Sequence, residues 1–196
     1  MSYNKDIIAD LGYIPKCSYF GEWYRIVEPI LNNEEFQKRK YFKHHDNSVW
    51  DHCVSVSFEA FLLAKYYHLN ERVAAIAGLL HDFYPKAWQY SEELEKIDPS
   101  YLSRIGIKQK PSQMHGFVHA REAAVNAQKY FPELMDERII NSIKRHMFPL
   151  NIIPPKYLEG WLITVVDKKV SASVLSNVKE LPGYVGINVH IRHKAK

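Results

Sequence analysis

The chain has 196 residues, of which 46% are hydrophobic and 24% charged, a length and composition typical of a single soluble domain. Its formal charge of +4 is mild and its basic residues are dispersed except in the terminal "HIRHKAK", which argues against specific nucleic-acid binding and suits anionic small substrates. No apolar run approaches the roughly 18 residues that cross a bilayer, and Cys17 and Cys53 form no CxxC pair, so we expect a cytoplasmic, reduced protein with no membrane partner.

The spacing of apolar residues predicts a mainly helical chain. The second predicted helix is apolar on every side, as expected of a central helix buried all round, and Asp136 is the predicted N-cap of the fourth. Only the C-terminal tail, with "YVGINVHIR", allows a short strand. The predicted helices are Ser48–Leu69, Glu71–His81, His119–Phe131, Glu137–Met147 and Tyr157–Leu175.

Three segments follow from this pattern: an N-terminal helical extension at 1–45, a helical domain at 46–176 and a C-terminal tail at 177–196. A long, polar, proline-bounded connection, "KIDPSYLSRIGIKQKPSQ", separates the second and third predicted helices. Connections of this kind are often functional, so we interpret it as a candidate lid.

Polar, ionisable residues interrupt the apolar helical faces at several points. His52 shares a face with Val56 and Ala60, at spacings of four and eight, and His81 and Asp82 follow the apolar run "AAIAGLL". An HD dipeptide alone carries almost no information, since His45 also precedes an Asp. The informative feature is the whole set, which comprises His52, His81, Asp82, His119, His146 and Asp167.

Imidazole and carboxylate groups that meet in a helical core are ligands for a divalent transition metal such as iron, manganese, cobalt, nickel or zinc, with magnesium as a further option. Such a site explains why ionisable groups tolerate burial, because cations compensate the cost of removing them from water. Taken singly, each histidine can also be a hydrogen-bonded core residue, and Asp167 can face solvent.

The order of the segments "DHCVSV", "LLHDF", "HAREAA", "KRHM" and "VVDK" resembles the HD-domain metal-dependent phosphohydrolase superfamily, in the version whose signature reads H, HD, H, H, D. The resemblance spans about Val49 to Ser173. It is closest to a little-described bacterial subgroup with "LHDF", "HGFxH" and "HMxPL" segments, which read "LLHDFYPKAW", "MHGFVH" and "RHMFPL" here.

The resemblance implies an all-α bundle whose central buried helix carries the HD pair, and one or two bound metal ions. It assigns the first ion to His52, His81, Asp82 and Asp167, and the second to Asp82, His119 and His146. In such enzymes a metal-bound hydroxide attacks the phosphorus of a phosphoester, which is often a nucleotide. Asp82 would then be a catalytic residue as well as a bridging ligand.

Two further residues are assigned catalytic roles, and each departs from the family pattern. Many family members place a lysine three residues after the HD aspartate, whereas Lys86 lies four residues after Asp82 with Pro85 between. His115 competes with His119 for the third histidine position of the family signature. We prefer His119 as the ligand because two small residues of the family pattern, Ala123 and Ala124, follow it at the expected spacing.

The predicted substrate-binding residues are His45, Lys144, Arg145 and Lys168. The three basic residues flank proposed ligands and can form charge-assisted bonds to phosphate, although a solvated helix face is the alternative interpretation. Aromatic residues near the HD pair can stack on a nucleobase or simply form core and pocket wall, and they are Trp50, Phe83, Tyr84, Trp88 and Tyr90.

The sequence therefore predicts a metal-dependent phosphohydrolase that acts on a small, nucleotide-like phosphoester. The alternative is a non-catalytic, metal-bound nucleotide-binding or sensor protein with the same fold. A helical nucleic-acid-binding protein is a distant third hypothesis, because the chain has no recognisable binding motif and no strong basic stripe.

Overall fold

The computed structural model of the chain describes residues 4–44, 47–102 and 114–176. Within these ranges the chain forms nine α-helices, four short 3-10 helices and one antiparallel hairpin of two strands. The chain is therefore an all-α bundle, as predicted. The α-helices are α1 (Lys5–Asp10), α2 (Phe20–Leu31), α3 (Glu34–Gln37), α4 (Val49–Tyr66), α5 (Glu71–Leu80), α6 (Glu92–Ile97), α7 (His115–Tyr130), α8 (Glu137–Arg145) and α9 (Leu158–Ser176). The strands are β1 (Lys43–His44) and β2 (Asn47–Ser48), and the 3-10 helices are Ile14–Lys16, Lys38–Tyr41, Pro99–Leu102 and Pro132–Leu134.

The five predicted helices are present, with differences at their ends. The predicted N-cap of α8 is confirmed, because Asp136 Oδ1 accepts the backbone N–H of Ile139 at 2.8 Å. The predicted start of α7 at His119 is wrong by one turn, since the helix begins at His115. Its N-cap residue, Met114, makes no side-chain cap hydrogen bond, so no capping residue marks the true start in the sequence.

Two other sequence predictions fall partly or wholly outside the described residues. The tail at 177–196, with its predicted short strand, lies outside them, as do residues 103–113 of the candidate lid. The described strands lie elsewhere, at 43–44 and 47–48, and pair Lys43 with Ser48. They were not predicted, because two-residue strands are too short to produce a period-two pattern.

Strong N-caps place the two helices that carry the HD signature. Ser48 and Asp51 form a reciprocal capping box at the start of α4: Ser48 Oγ accepts the Asp51 N–H at 3.1 Å and Asp51 Oδ2 accepts the Ser48 N–H at 3.3 Å. Asn70 Oδ1 caps α5 by accepting the Val73 N–H at 3.1 Å. These caps fix where each helix begins, and hence which residues face inward.

Helix α5 is the centre of the bundle and packs against α2, α4, α7, α8 and α9. Its residues from Val73 to Leu80 are all buried, which agrees with the prediction of a helix apolar on every side. The approach of α4 is unusually close, because a Cβ atom placed on Gly78 would lie 2.9 Å from Ser57 Cα. Ser57 Oγ also accepts the Trp23 Nε1–H at 2.9 Å and donates to the Ala75 carbonyl at 2.7 Å, which ties α2, α4 and α5 together.

The N-terminal helices share this core. Trp23 and Tyr24 of α2 are fully buried in the same hydrophobic cluster as Ile76 of α5 and Val166 of α9. The N-terminal helices thus pack on the same core as the helices of the predicted domain at 46–176. Over the described ranges, we find no helix that combines the length and apolar character required to cross a bilayer.

Helix α4 ends in a Schellman motif at a non-glycine residue. His68 adopts a left-handed conformation with φ of 55°, the Leu69 N–H donates to the Ala64 carbonyl at 2.8 Å, and the His68 N–H donates to the Lys65 carbonyl at 3.4 Å. Glycine adopts this conformation without steric cost, whereas an exposed histidine does so at a cost of about 1 kcal/mol.

We expect His68→Gly to raise the free energy of unfolding by roughly 0.5–1 kcal/mol, because it relieves this backbone strain. Urea denaturation monitored by circular dichroism measures the change. His68→Ala is the matched control, since it removes the same side chain without relieving the strain. Equal stabilities of the two variants would contradict the prediction.

Candidate metal centre

Six buried ionisable residues, here called the His/Asp cluster, come together from five helices. Helices α4, α7 and α9 each contribute one residue from within the helix, whereas α5 and α8 contribute residues at their C-terminal ends. The cluster comprises His52 of α4, His81 and Asp82 at the end of α5, His119 of α7, His146 at the end of α8 and Asp167 of α9.

One part of the cluster joins α4, α5 and α9. His52 Nε2 lies 3.1 Å from His81 Nε2 and 3.1 Å from Asp167 Oδ1, and His81 Nε2 lies 3.6 Å from the same carboxylate oxygen. The ligand atoms of these three residues all lie within 4.8 Å of one another, which allows them to hold one metal ion.

A second part surrounds Asp82. Its Oδ1 atom lies 3.3 Å from His119 Nε2 and 3.7 Å from His146 Nε2, while its Oδ2 atom lies 3.7 Å from His81 Nε2. His81, Asp82 and His146 form a further group whose ligand atoms lie within 4.8 Å of one another. The Asp82 carboxylate thus lies between His81 on one side and His119 and His146 on the other.

Backbone carbonyls orient three of the imidazoles. Each Nδ1–H donates to a carbonyl oxygen: His81 to Gly78 at 2.7 Å, His146 to Ile143 at 2.7 Å and His119 to His115 at 2.8 Å. A carbonyl can only accept, so Nδ1 carries a proton in each ring and Nε2 is the nitrogen that faces the cluster and is available to a metal ion. Metal-binding histidines are held in this way in proteins, and the residues present therefore fit a divalent ion.

The carboxylates of the cluster remain ionised. Burial alone would raise the pKa of Asp82, but the charges of His81 and His119 outweigh it and hold that pKa below its ordinary value. The pKa of Asp167 is likewise lowered against the effect of burial, through hydrogen bonds from His52 and His81. Both acids are thus in the charged form that binds a cation.

The pKa values of two cluster imidazoles, His146 and His81, are shifted in opposite directions. Burial and the nearby charges of His81 and His119 lower the pKa of His146 to about 3, so this ring stays neutral. Burial also opposes the charged form of His81, but Asp82 and other neighbours outweigh it and raise its pKa. Burial raises the pKa of the Cys53 thiol beside His81, so the donors are nitrogen and oxygen without thiolate.

The model of the HD-domain family matches residues 49–172. The chain belongs to the HD-domain family. The match runs from the start of α4 into α9 and includes the whole His/Asp cluster. Members of the family bind divalent metals and are mostly hydrolases. No curated protein and no solved structure matches the chain.

His115 lies beside the HD-domain cluster, in a column of stacked rings. Its imidazole stacks between the rings of Trp88, at 5.0 Å between centroids, and His119, at 4.6 Å. Tyr84 meets both histidines edge-on, at 4.6 Å and 6.1 Å. Of the two competing histidines, His119 contacts Asp82. His115 stacks on the His119 ring, between it and Trp88. The catalytic role of His115 stays a prediction.

The predicted lysines occupy different environments. Lys86 Nζ donates to the Ser100 carbonyl at 2.8 Å and so binds the 3-10 helix after α6. Within the described ranges it makes no hydrogen bond or ion pair with the cluster. Lys168 Nζ lies 3.4 Å from the His146 carbonyl and 3.3 Å from that of Thr164, and burial lowers its pKa. Lys168 thus reaches the backbone of the cluster residue His146.

Two other predicted substrate residues, Lys144 and Arg145, make no ion pair or hydrogen bond with the cluster in the described parts of the chain. Lys144 and Arg145 line a pocket together with Arg121, which the sequence analysis did not single out. His45 lies outside the described residues. Their roles in substrate binding stay predictions.

Sequence reasoning also missed Arg39, whose side chain is completely buried. Its guanidinium lies 4.3 Å from the ring centroid of Phe42 and 4.7 Å from that of Phe83, and it donates to Glu35 Oε1 at 3.0 Å. Phe83 directly follows Asp82, so this contact anchors the turn that carries the HD pair. The segment "QKRKYF" looks like a solvated charge run, and no local signal identifies its one buried arginine.

The close approach at Gly78 predicts a stability effect that reaches the cluster. We expect Gly78→Ala to lower the free energy of unfolding by about 1–3 kcal/mol, because the new Cβ would lie 2.9 Å from backbone that cannot rotate away. The Gly78 carbonyl orients His81, so metal affinity should fall as well.

The matched control is Gly116→Ala in α7, where the new Cβ would meet only the flexible Leu150 side chain, at 3.1 Å. Denaturant unfolding compares the two variants. A Gly78→Ala protein as stable as the parent would show that the α4–α5 contact relaxes more easily than the geometry indicates.

Proposed function

We propose that the chain is a metal-dependent phosphohydrolase that acts on a small, nucleotide-like phosphoester. The observation that carries the proposal is the convergence of four oriented or paired imidazoles and two ionised carboxylates in the interior of an HD-domain fold. The proposed ligands of a first ion are His52, His81, Asp82 and Asp167, and those of a second are Asp82, His119 and His146.

The donor set favours a first-row transition ion over magnesium. Imidazole nitrogen suits iron, manganese, cobalt, nickel or zinc, whereas magnesium prefers oxygen ligands and retains several waters. A bound divalent ion would supply an activated water nucleophile near neutral pH and would neutralise charge on the phosphoryl oxygens. Asp82, with one oxygen towards each part of the cluster, would set the spacing of two such ions.

The residues around the cluster support an anionic substrate with a ring. Lys168 Nζ lies 3.4 Å from the carbonyl of His146, a cluster residue, and we assign it to a phosphoryl oxygen. The half-buried Trp88, stacked on His115, offers an aromatic surface for a nucleobase at the edge of the same column of rings. These two features support a nucleotide-like phosphoester.

The test combines elemental analysis of the purified protein with hydrolysis assays on nucleotides and simple phosphoesters, in manganese, cobalt, nickel or magnesium. We expect near-stoichiometric transition metal in the parent. Asp82→Asn and His52→Gln should each lower metal content and reduce hydrolysis at least about 100-fold, since even the loss of a residue that supports a ligand costs 10–100-fold.

Matched controls separate this effect from general damage. Asp6→Asn and His68→Gln make the same chemical changes at exposed positions in α1 and after α4, and should leave both readouts unchanged. Circular dichroism establishes that each variant is folded. Full hydrolysis by metal-free protein would refute the proposal.

A non-catalytic, metal-bound nucleotide-binding protein is the second candidate, and the position of Lys86 favours it. In the described structure this lysine is engaged by the Ser100 carbonyl and lies 5.8 Å from the centroid of the Tyr101 ring, and it contacts no residue of the cluster. Tight binding of a nucleotide without turnover in any of the four metals would favour this candidate over the enzyme.

A further inference from the structure

A second polar site lies outside the His/Asp cluster. A pocket of about 400 Å³ opens between α7, α8 and the segment that follows α8. Three cations and one carboxamide line it together with apolar side chains, and we call it the basic pocket. Its principal lining residues are Arg121, Lys144, Arg145, Asn151, Ile152 and Ile153.

The cations of the basic pocket lack acidic partners. Across the described parts of the chain, Arg121, Lys144 and Arg145 form no ion pair, and no carboxylate lines the pocket. Nearby cations behave differently: Arg138 pairs with Glu159 at 2.9 Å and Lys156 with Glu137 at 2.8 Å. The pocket therefore concentrates three uncompensated positive charges, an arrangement that attracts an anion.

The basic pocket also has an apolar wall, and its side chains are exposed. Ile152 is 87% exposed, Ile153 51% and Phe117 39%, although each lines the same concave surface as the cations. A phosphate ion alone would not use such a wall. A ligand that carries an apolar group or a ring beside its anionic group would contact both walls at once.

The walls are held in place by hydrogen bonds. The Phe148 N–H donates to the Arg145 carbonyl at 3.1 Å and the Asn151 N–H donates to that of Met147 at 3.1 Å, so the segment is fastened to the end of α8. The Lys156 N–H donates to Asn141 Oδ1 at 2.9 Å on its far side. These hydrogen bonds connect the backbone of the segment after α8 to α8.

Two of the three cations of the basic pocket point away from the metal centre. Arg121 lies two residues after His119, and Lys144 lies two residues before His146. Two residues correspond to about 200° around a helix axis, so each cation and its neighbouring imidazole point to opposite sides. The exposures agree, because Arg121 and Lys144 are exposed whereas His119 and His146 are buried.

We propose that the basic pocket binds a small organic phosphate, independently of the metal centre. Arg121, Lys144 and Arg145 take the anionic group, with the Asn151 carboxamide as a further donor, and the apolar wall takes the organic part. Guanidinium and ammonium groups form strong charge-assisted bonds to phosphate oxygens. The concave shape and the volume of about 400 Å³ favour a small ligand over a flat membrane surface.

Phenylphosphonate and methylphosphonate are suitable probes, since they carry the same anionic group, differ only in the organic part and resist hydrolysis. Calorimetric titration uses the full chain as purified and the full-chain Asp82→Asn variant. We expect one saturable site in Asp82→Asn, and the same site with unchanged affinity in the parent beside any binding at the metal centre, with phenylphosphonate at least about threefold tighter at this shared site because its ring buries more apolar area. Loss of binding in Asp82→Asn would place the anion at the metal centre and overturn this proposal without affecting the proposed function.

Variants of the lining residues locate the site. Arg121→Gln and Lys144→Gln should each weaken phenylphosphonate binding about tenfold, the effect of losing one charge-assisted hydrogen bond. Ile152→Ser should weaken phenylphosphonate but not methylphosphonate. These side chains are exposed or line the open pocket, so thermal unfolding should not change.

Lys129→Gln is the matched control, because it removes the same charge from α7 outside the pocket. It should change the affinity less than twofold. An equal loss in this control would mean diffuse attraction by net charge, and would overturn the proposal. Binding of anionic lipid vesicles without saturable phosphonate binding would assign the surface to a membrane instead, and would also overturn it.

Discussion

The fold depends on keeping six ionisable side chains in the interior of a helical bundle. An isolated buried charge costs at least several kcal/mol, far more than a buried neutral polar group without a partner. The His/Asp cluster meets this constraint by mutual compensation: Asp82 and Asp167 each face at least two imidazoles at distances of 3.1–3.7 Å. Each buried charge in the cluster is compensated by the others, so the residues from the five helices have to lie together.

The C-terminal ends of α5 and α8 each place a cluster histidine by the same hydrogen bond. His81 and His146 are the C-cap residues of α5 and α8, and each donates its Nδ1–H to the carbonyl three residues earlier, at 2.7 Å in both cases. The last four carbonyls of a helix have no partner within it, so the imidazole satisfies a helix end while the carbonyl orients the imidazole. The position of each ligand is thus coupled to where its helix stops, and the N-caps at Asn70 and Asp136 fix the register at the other end.

Local patterns were sufficient for part of this architecture. The apolar spacing predicted α4, α5, α8 and α9, and the polar interruptions of those faces, together with the family resemblance, identified the residues that the fold brings together. The start of α7 was not predictable, since Met114 supplies no cap. The burial of Arg39 was not predictable either, because it depends on the ring of Phe83, more than forty residues away in the chain. Such features arise from tertiary contacts between segments whose own sequences look ordinary.

The position of Lys144 illustrates a further limit of sequence reasoning. A cation close in sequence to a metal ligand seems well placed to bind the substrate of that metal, yet spacing within a helix decides which side it reaches. The segments "HAR" in α7 and "KRH" in α8 each separate a cation from an imidazole by two residues, which is more than half a turn. Both helices therefore present imidazole to the interior and a cation to solvent, and because they are neighbours their outward cations meet at one pocket. The same helical geometry that assembles the metal centre on one side assembles a separate anion site on the other.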